Sequence, residues 1–154
     1  MAIPKPLEKL LKDNKVKYQV IEHRKVFTAY DSAETQHMKM SEVAKAVLLK
    51  GSDLYLAVLP AGNNCDFKAL AKLSSDKKLT MAKEKDITTK LKTKVGLVAP
   101  FGSLYKIPVF FDKKLTKNKK LNLPAGSYTE SLVLSVKDYI KLENPVLGNF
   151  SIKK

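Results

Sequence analysis

Apolar and polar positions alternate along this chain with a period that switches between about 3.6 and 2, and the switches mark its elements. Pro6, Leu7, Leu10 and Leu11 have the i, i+3, i+4 spacing of a short amphipathic helix ending near Asn14. Val16-Lys17-Tyr18-Gln19-Val20 alternates with period two and reads as a half-buried strand. Asp31 with Glu34 fits a capping box and predicts a brief helix over 33–38. Residues 43–50 and 54–60 are predicted strands joined by Gly51-Ser52-Asp53, a composition suited to a tight hairpin. Asp66 can cap a helix running to Leu73, 83–91 reads as another helix, and 107–112 is a nearly continuous apolar strand. Residues 132–136 read as strand and 137–142 as helix, stopped by Asn144-Pro145. The strands come in hairpins with few crossovers, which predicts an α+β fold with a mostly antiparallel sheet.

One side chain breaks the apolar pattern. Within Val43-Ala44-Lys45-Ala46-Val47-Leu48-Leu49, strand alternation sends Lys45 the same way as Val47 and Leu49. If that face meets the core, an ammonium is aimed at the interior, where it needs an anion, a carbonyl dipole or water. The other reading is a lysine at a strand's start, its head snorkelling to solvent over an apolar stem.

A second unusual stretch is Gly96-Leu97-Val98-Ala99-Pro100-Phe101-Gly102, two glycines bracketing a proline. Glycine opens unusual dihedrals and proline removes a donor, so such a loop can aim its remaining N–H groups at a ligand, or can be an ordinary turn. Asp112 at a strand end and Ala125-Gly126 after Pro124 read by default as a cap and a turn. His23 and His37 lie too far apart for a two-histidine helix site, and no metal centre is expected.

Composition narrows the class. A chain of 154 residues suits one domain, and 44% hydrophobic with 29% charged residues is close to the globular norm. No apolar run reaches the ~18 residues of a membrane span, and the opening MAIPKPLEKLLKDNK has no secretory h-region, so a cytoplasmic location is expected. The single cysteine, Cys65, forms no internal disulfide and no CxxC pair.

Charge then points to a partner. The formal net charge is +14 and it is uneven: residues 68–120 hold 15 basic and 4 acidic side chains, against 10 and 8 in residues 1–67. A concentrated positive field attracts polyanions such as nucleic acid, although lysine-rich codon usage would produce the same excess without a partner. Arg24 is the lone arginine, which argues against bidentate reading of guanine edges in DNA and leaves backbone contact with RNA.

Taken in order, these segments resemble the YbaK/ProX family of aminoacyl-tRNA deacylases, related to the editing domain inserted in bacterial prolyl-tRNA synthetases. The resemblance rests on Lys45 in Val43-Ala44-Lys45-Ala46-Val47, Leu56-Ala57-Val58-Leu59-Pro60-Ala61, the helix from Asp66 to Leu73, the 96–102 loop with Leu104-Tyr105, Pro108-Val109 into Asp112, and Ala125-Gly126. It implies a single α+β domain over 1–154, with a mostly antiparallel, barrel-like mixed sheet and short flanking helices. It implies a trans-editing deacylase that hydrolyses the ester of mischarged tRNA, with no metal and no cofactor. Lys45, Gly96 and Pro100 are implied as catalytic positions. His37, Ala46, Val98, Ala99, Phe101, Gly102, Asp112, Ala125 and Gly126 are implied as the substrate-binding set. Many members carry a polar residue where Ala46 stands, which leaves substrate preference open.

The implied partners are mischarged tRNA and, as a further candidate, an aminoacyl-tRNA synthetase, with no membrane and no DNA. A different class of function is a non-catalytic tRNA- or synthetase-binding module on the same fold.

Overall fold

The computed structural model describes residues 5–22, 43–91, 98–124 and 130–153. The opening periodic stretch forms helix α1 (Lys5–Asp13), which buries Leu7 and Leu11 and carries a Lys12–Glu8 pair at 2.8 Å on its exposed side. Lys15 takes φ 54°, and Val16 N–H reaches back to the Leu11 carbonyl at 3.0 Å, a left-handed helix stop. Strand β1 (Tyr18–Glu22) follows, two residues later than the alternation suggested. The expected 33–38 helix lies outside the described residues.

The hairpin of β2 (Ala44–Lys50) and β3 (Leu54–Pro60) pairs antiparallel, from Lys50↔Leu54 to Ala44↔Pro60. Its turn is pinned by Asp76, whose Oδ2 accepts the Ser52 N–H at 2.7 Å; a Cβ on Gly51 would fall 2.3 Å from that carboxylate. After β4 (Asn63–Cys65), helix α2 (Phe67–Ser74) starts at Asp66, whose Oδ1 accepts the Lys68 and Ala69 amides. Strand β5 (Thr80–Met81), helix α3 (Glu84–Lys90) and strand β6 (Val109–Asp112) come next.

Strand β7 (Lys120–Pro124) and strand β8 (Glu130–Ser135) lead to helix α4 (Val136–Glu143). Ser135 caps that helix, and Asn144 ends it at φ 46°. Strands β9 (Val146–Gly148) and β10 (Ser151–Lys153) close the chain.

Among the described residues three sheets form, ordered β1-β8-β7, β10-β4 and β5-β2-β3-β6-β9. The first two are antiparallel, but β6 runs parallel to both β3 and β9, so the central sheet is mixed. The long crossover from Ala61 to Pro108 makes the β3–β6 pairing possible, since parallel neighbours need a dozen or more linking residues. A single parallel bridge, Val43↔Asn122, joins the three-stranded sheet to the five-stranded one. Among the described residues the assembly curls around its core without closing into a barrel.

Strand β3 is buried on both faces, and its alternation divides two cores. Leu56 and Val58 face inward, with Ala44, Leu48, Val109, Phe111, Leu123, Leu132 and Tyr139, toward the three-stranded sheet. Ala57 and Leu59 face outward, with Leu49, Leu70, Phe110 and Phe150, toward α2. Each fully buried leucine in either cluster contributes roughly 1.5–3 kcal/mol of transfer free energy.

Candidate functional site

Lys45 leaves β2 on the same face as Val47 and Leu49, whose packing partners belong to the outer core. It is half-buried. Its antiparallel neighbour is the fully buried Leu59. Val58 pairs with Phe111 in parallel, so Leu59 lies beside Asp112 one position on. Asp112 is 0% exposed: Oδ1 accepts the Lys114 amide at 2.8 Å and caps the 3₁₀ turn Lys113–Lys117, while Oδ2 has no hydrogen-bond partner. The default reading of Asp112 as a strand-end cap therefore describes one of its oxygens and not the other.

Both charges act on Cys65. Burial pushes its thiol up to about 11, with the Lys45 ammonium pulling down and the Asp112 carboxylate adding to the rise. At neutral pH the thiol is protonated, which removes it as a nucleophile.

The described part of the loop, residues 98–102, packs into the fold. Val98, Ala99 and Phe101 are buried in the inner core, with Phe101 edge-on to Tyr139 at 5.4 Å. The Tyr139 hydroxyl donates to the Pro100 carbonyl, and the Ala99 N–H donates to the Tyr105 hydroxyl at 3.0 Å. Ser103 gives its N–H and its hydroxyl to the two oxygens of Glu143, at 3.1 and 2.7 Å. Burial raises the pKa of Glu143, offset by hydrogen bonds from Ser103 and the Gly102 amide. Among the described residues, the amides of Ala99, Gly102 and Ser103 thus tether the loop to Tyr105 and α4. Gly102 is required sterically, because a Cβ there would sit 2.4 Å from both the Ile107 carbonyl and Val109 Cγ2.

The structure therefore sorts the expected site residues onto two faces. Ala46, partly exposed, shares the inner face with Val98, Ala99 and Phe101. Lys45 and Asp112 occupy the outer face. His37, Gly96, Ala125 and Gly126 lie outside the described residues, as does His23. Three side chains the sequence reading passed over also belong here: Tyr139 and Glu143, which hold the loop, and Glu130. Glu130 alternates with Leu132 and Leu134 in β8, the same signal that singled out Lys45.

Every described lysine between 68 and 120 is exposed. Lys50, Lys90 and Lys106 line an open groove of about 480 Å³ beside the β2–β3 turn, together with Asp53 and Asp86.

A curved mixed sheet with a tethered loop packed against its inner face defines an α+β domain. Residues 23–142, well over half of the chain, match the aminoacyl-tRNA editing domain family, and the chain belongs to that family. Among solved structures it is similar to the hypothetical protein APE2540, with TM-score 0.89 and 17% identity over 96% of this chain and 100% of that one. It is also similar to a protein provisionally described as a trans-editing enzyme for prolyl-tRNA synthetase, with TM-score 0.82 and 17% identity over 99% of each chain. A provisionally described signal transduction protein from Marinobacter aquaeolei VT8 matches at TM-score 0.75 and 18% identity over 99% of this chain and 31% of its own. At these identities the likeness is one of fold. No curated protein sequence matches the chain.

Proposed function

We propose that residues 1–154 act as one editing domain, a trans-acting deacylase that cleaves the ester between an amino acid and the terminal ribose of mischarged tRNA. Water adds to the ester carbonyl carbon, the tetrahedral intermediate collapses, and the carbon–oxygen bond to the ribose breaks. The ribose leaves as an alcohol and the free amino acid as a carboxylate. The ribose's vicinal hydroxyl can assist the water, so the protein's main contribution is positioning and charge stabilisation.

The observation that carries this reading is the family match across 23–142, a span that contains Lys45 and the whole 96–102 loop. Ala46, Val98, Ala99, Phe101 and Gly102 would bound the aminoacyl group on the inner face, with Gly96 and Pro100 shaping the loop. His37, Asp112, Ala125 and Gly126 complete the proposed substrate set. Because Lys45 and Ala46 leave β2 on opposite faces, the geometry favours the 3′-terminal phosphate over the ester carbonyl as the partner of the Lys45 ammonium. Exposed lysines of 68–120 would follow the acceptor-stem backbone. No step calls on a cofactor.

The test is a panel of tRNAs charged with Ala, Ser, Thr, Cys and Pro, incubated with the protein and assayed for released amino acid. Turnover of at least one ester is expected. Tight tRNA binding with turnover of none would make the chain a binding module instead.

A further inference from the structure

We propose that the Glu130 carboxylate is the receptor for the α-ammonium of the aminoacyl group, an assignment that rests on the deacylase reading. Glu130 is 1% exposed, and neither of its side-chain oxygens has a hydrogen-bond partner. Ionised carboxylates are almost never buried without a cation or donors, and the protonated acid would still leave its hydroxyl unpaired. A cationic donor carried by a ligand would satisfy both oxygens.

Its location agrees with the inner-face residues proposed to bound the aminoacyl group. Glu130 lies on the same face of β8 as Leu132 and Leu134, both in the inner core with Val98, Ala99 and Phe101. The Val43↔Asn122 bridge is parallel, so β7 finishes at Pro124 level with Lys45, next to Ala46 near the start of β2. Pro124 pairs with Ser131, so Glu130 begins β8 at that same end.

An aminoacyl ester supplies such a cation whatever its side chain: one positive charge and N–H donors beside the scissile carbonyl. A carboxylate that binds it fixes the carbonyl in position and selects free aminoacyl esters over N-acylated ones, while leaving identity to the pocket. Charge-assisted hydrogen bonds of this kind are the strong class.

The experiment compares each of the five aminoacyl-tRNAs with its N-acetylated form. Wild type is expected to favour the free amine by at least ~30-fold in kcat/KM, and Glu130→Gln to lose at least ~10-fold on the free amine with little change on the N-acetyl ester. An unchanged ratio in Glu130→Gln, or an equal loss on both substrates, overturns the proposal. A second measurement needs neither turnover nor a variant: binding to wild type of 3′-aminoacylamino-3′-deoxyadenosines bearing the same five amino acids, each with and without N-acetylation. Preference for the free amine supports the assignment, and equal binding of both forms overturns it. If these amides bind with that preference while no ester is cleaved, the deacylase reading fails and the ammonium site stands.

Discussion

Lys45 and Asp112 flank Leu59 on the outer face of the five-stranded sheet, one strand away on either side. Their opposed charges meet at Cys65, where one lowers and the other raises the thiol's pKa. This arrangement makes Cys65 a reporter of the Lys45 and Asp112 charges.

The pH dependence of Cys65 alkylation should inflect near the value of about 11 that burial imposes. Lys45→Ala should move the inflection up and Asp112→Asn should move it down, read by mass spectrometry of alkylated protein across a pH series. In the same Lys45→Ala variant, kcat/KM on mischarged tRNA should fall by more than ~10-fold, about 1.4 kcal/mol of transition-state stabilisation. A smaller loss removes Lys45 from the mechanism.

Tyr139→Phe leaves the buried Pro100 carbonyl without its donor while keeping the ring contacts with Phe101 and Phe111. Stability should drop by about 1–3 kcal/mol in urea unfolding, the cost of one unsatisfied buried acceptor. Because the loop then loses one of its tethers, kcat should fall more than KM rises. Unchanged unfolding would show that the tether contributes nothing.

Asp76 sets the acid limb of stability at the hairpin turn. The Ser52 amide, followed by the Lys78 amide and Tyr55 hydroxyl, holds its carboxyl below the usual range against the upward push of burial. A folded pKa below the unfolded one means that the carboxylate stabilises the fold above the unfolded pKa and loses this effect as pH falls through the folded pKa. The wild type should therefore weaken below about pH 4, and Asp76→Asn should be less stable at pH 7 with a flatter acid limb. Thermal melts at pH 7 and pH 3 measure both.

Binding of uncharged tRNA should weaken as salt rises, with a log–log slope of about −0.7 to −0.9 per phosphate neutralised. Replacing Lys50, Lys90 and Lys106 together by Gln should make that slope shallower by about 2–3 units. An unchanged slope would place the RNA elsewhere on the basic surface.

Much of this fold is local and could be read along the chain. The β2–β3 hairpin, the Asp66-capped helix, the β6 strand and the α4 stop at Asn144-Pro145 all follow from periodicity and capping chemistry. Strand β7 begins on Lys120 and leaves only a weak period-two signal, because Leu121 and Leu123 alone of it face the inner core. Strands β4, β9 and β10 are each only three residues long, too short for a period to show.

The alternation in 43–50 by itself determined that Lys45 and Ala46 point opposite ways, since successive strand residues must. The spacing of Glu130 from Leu132 and Leu134 likewise carried the signal for an inward Glu130. Tertiary structure alone decided that both faces of β2 would be covered, by the three-stranded sheet on one side and α2 on the other. The same folding brought Asp112 beside Leu59, through a parallel pairing across a crossover of nearly fifty residues. Side-chain direction is a property of neighbouring bonds, whereas what a side chain meets depends on chain segments far away in sequence that come to lie against it.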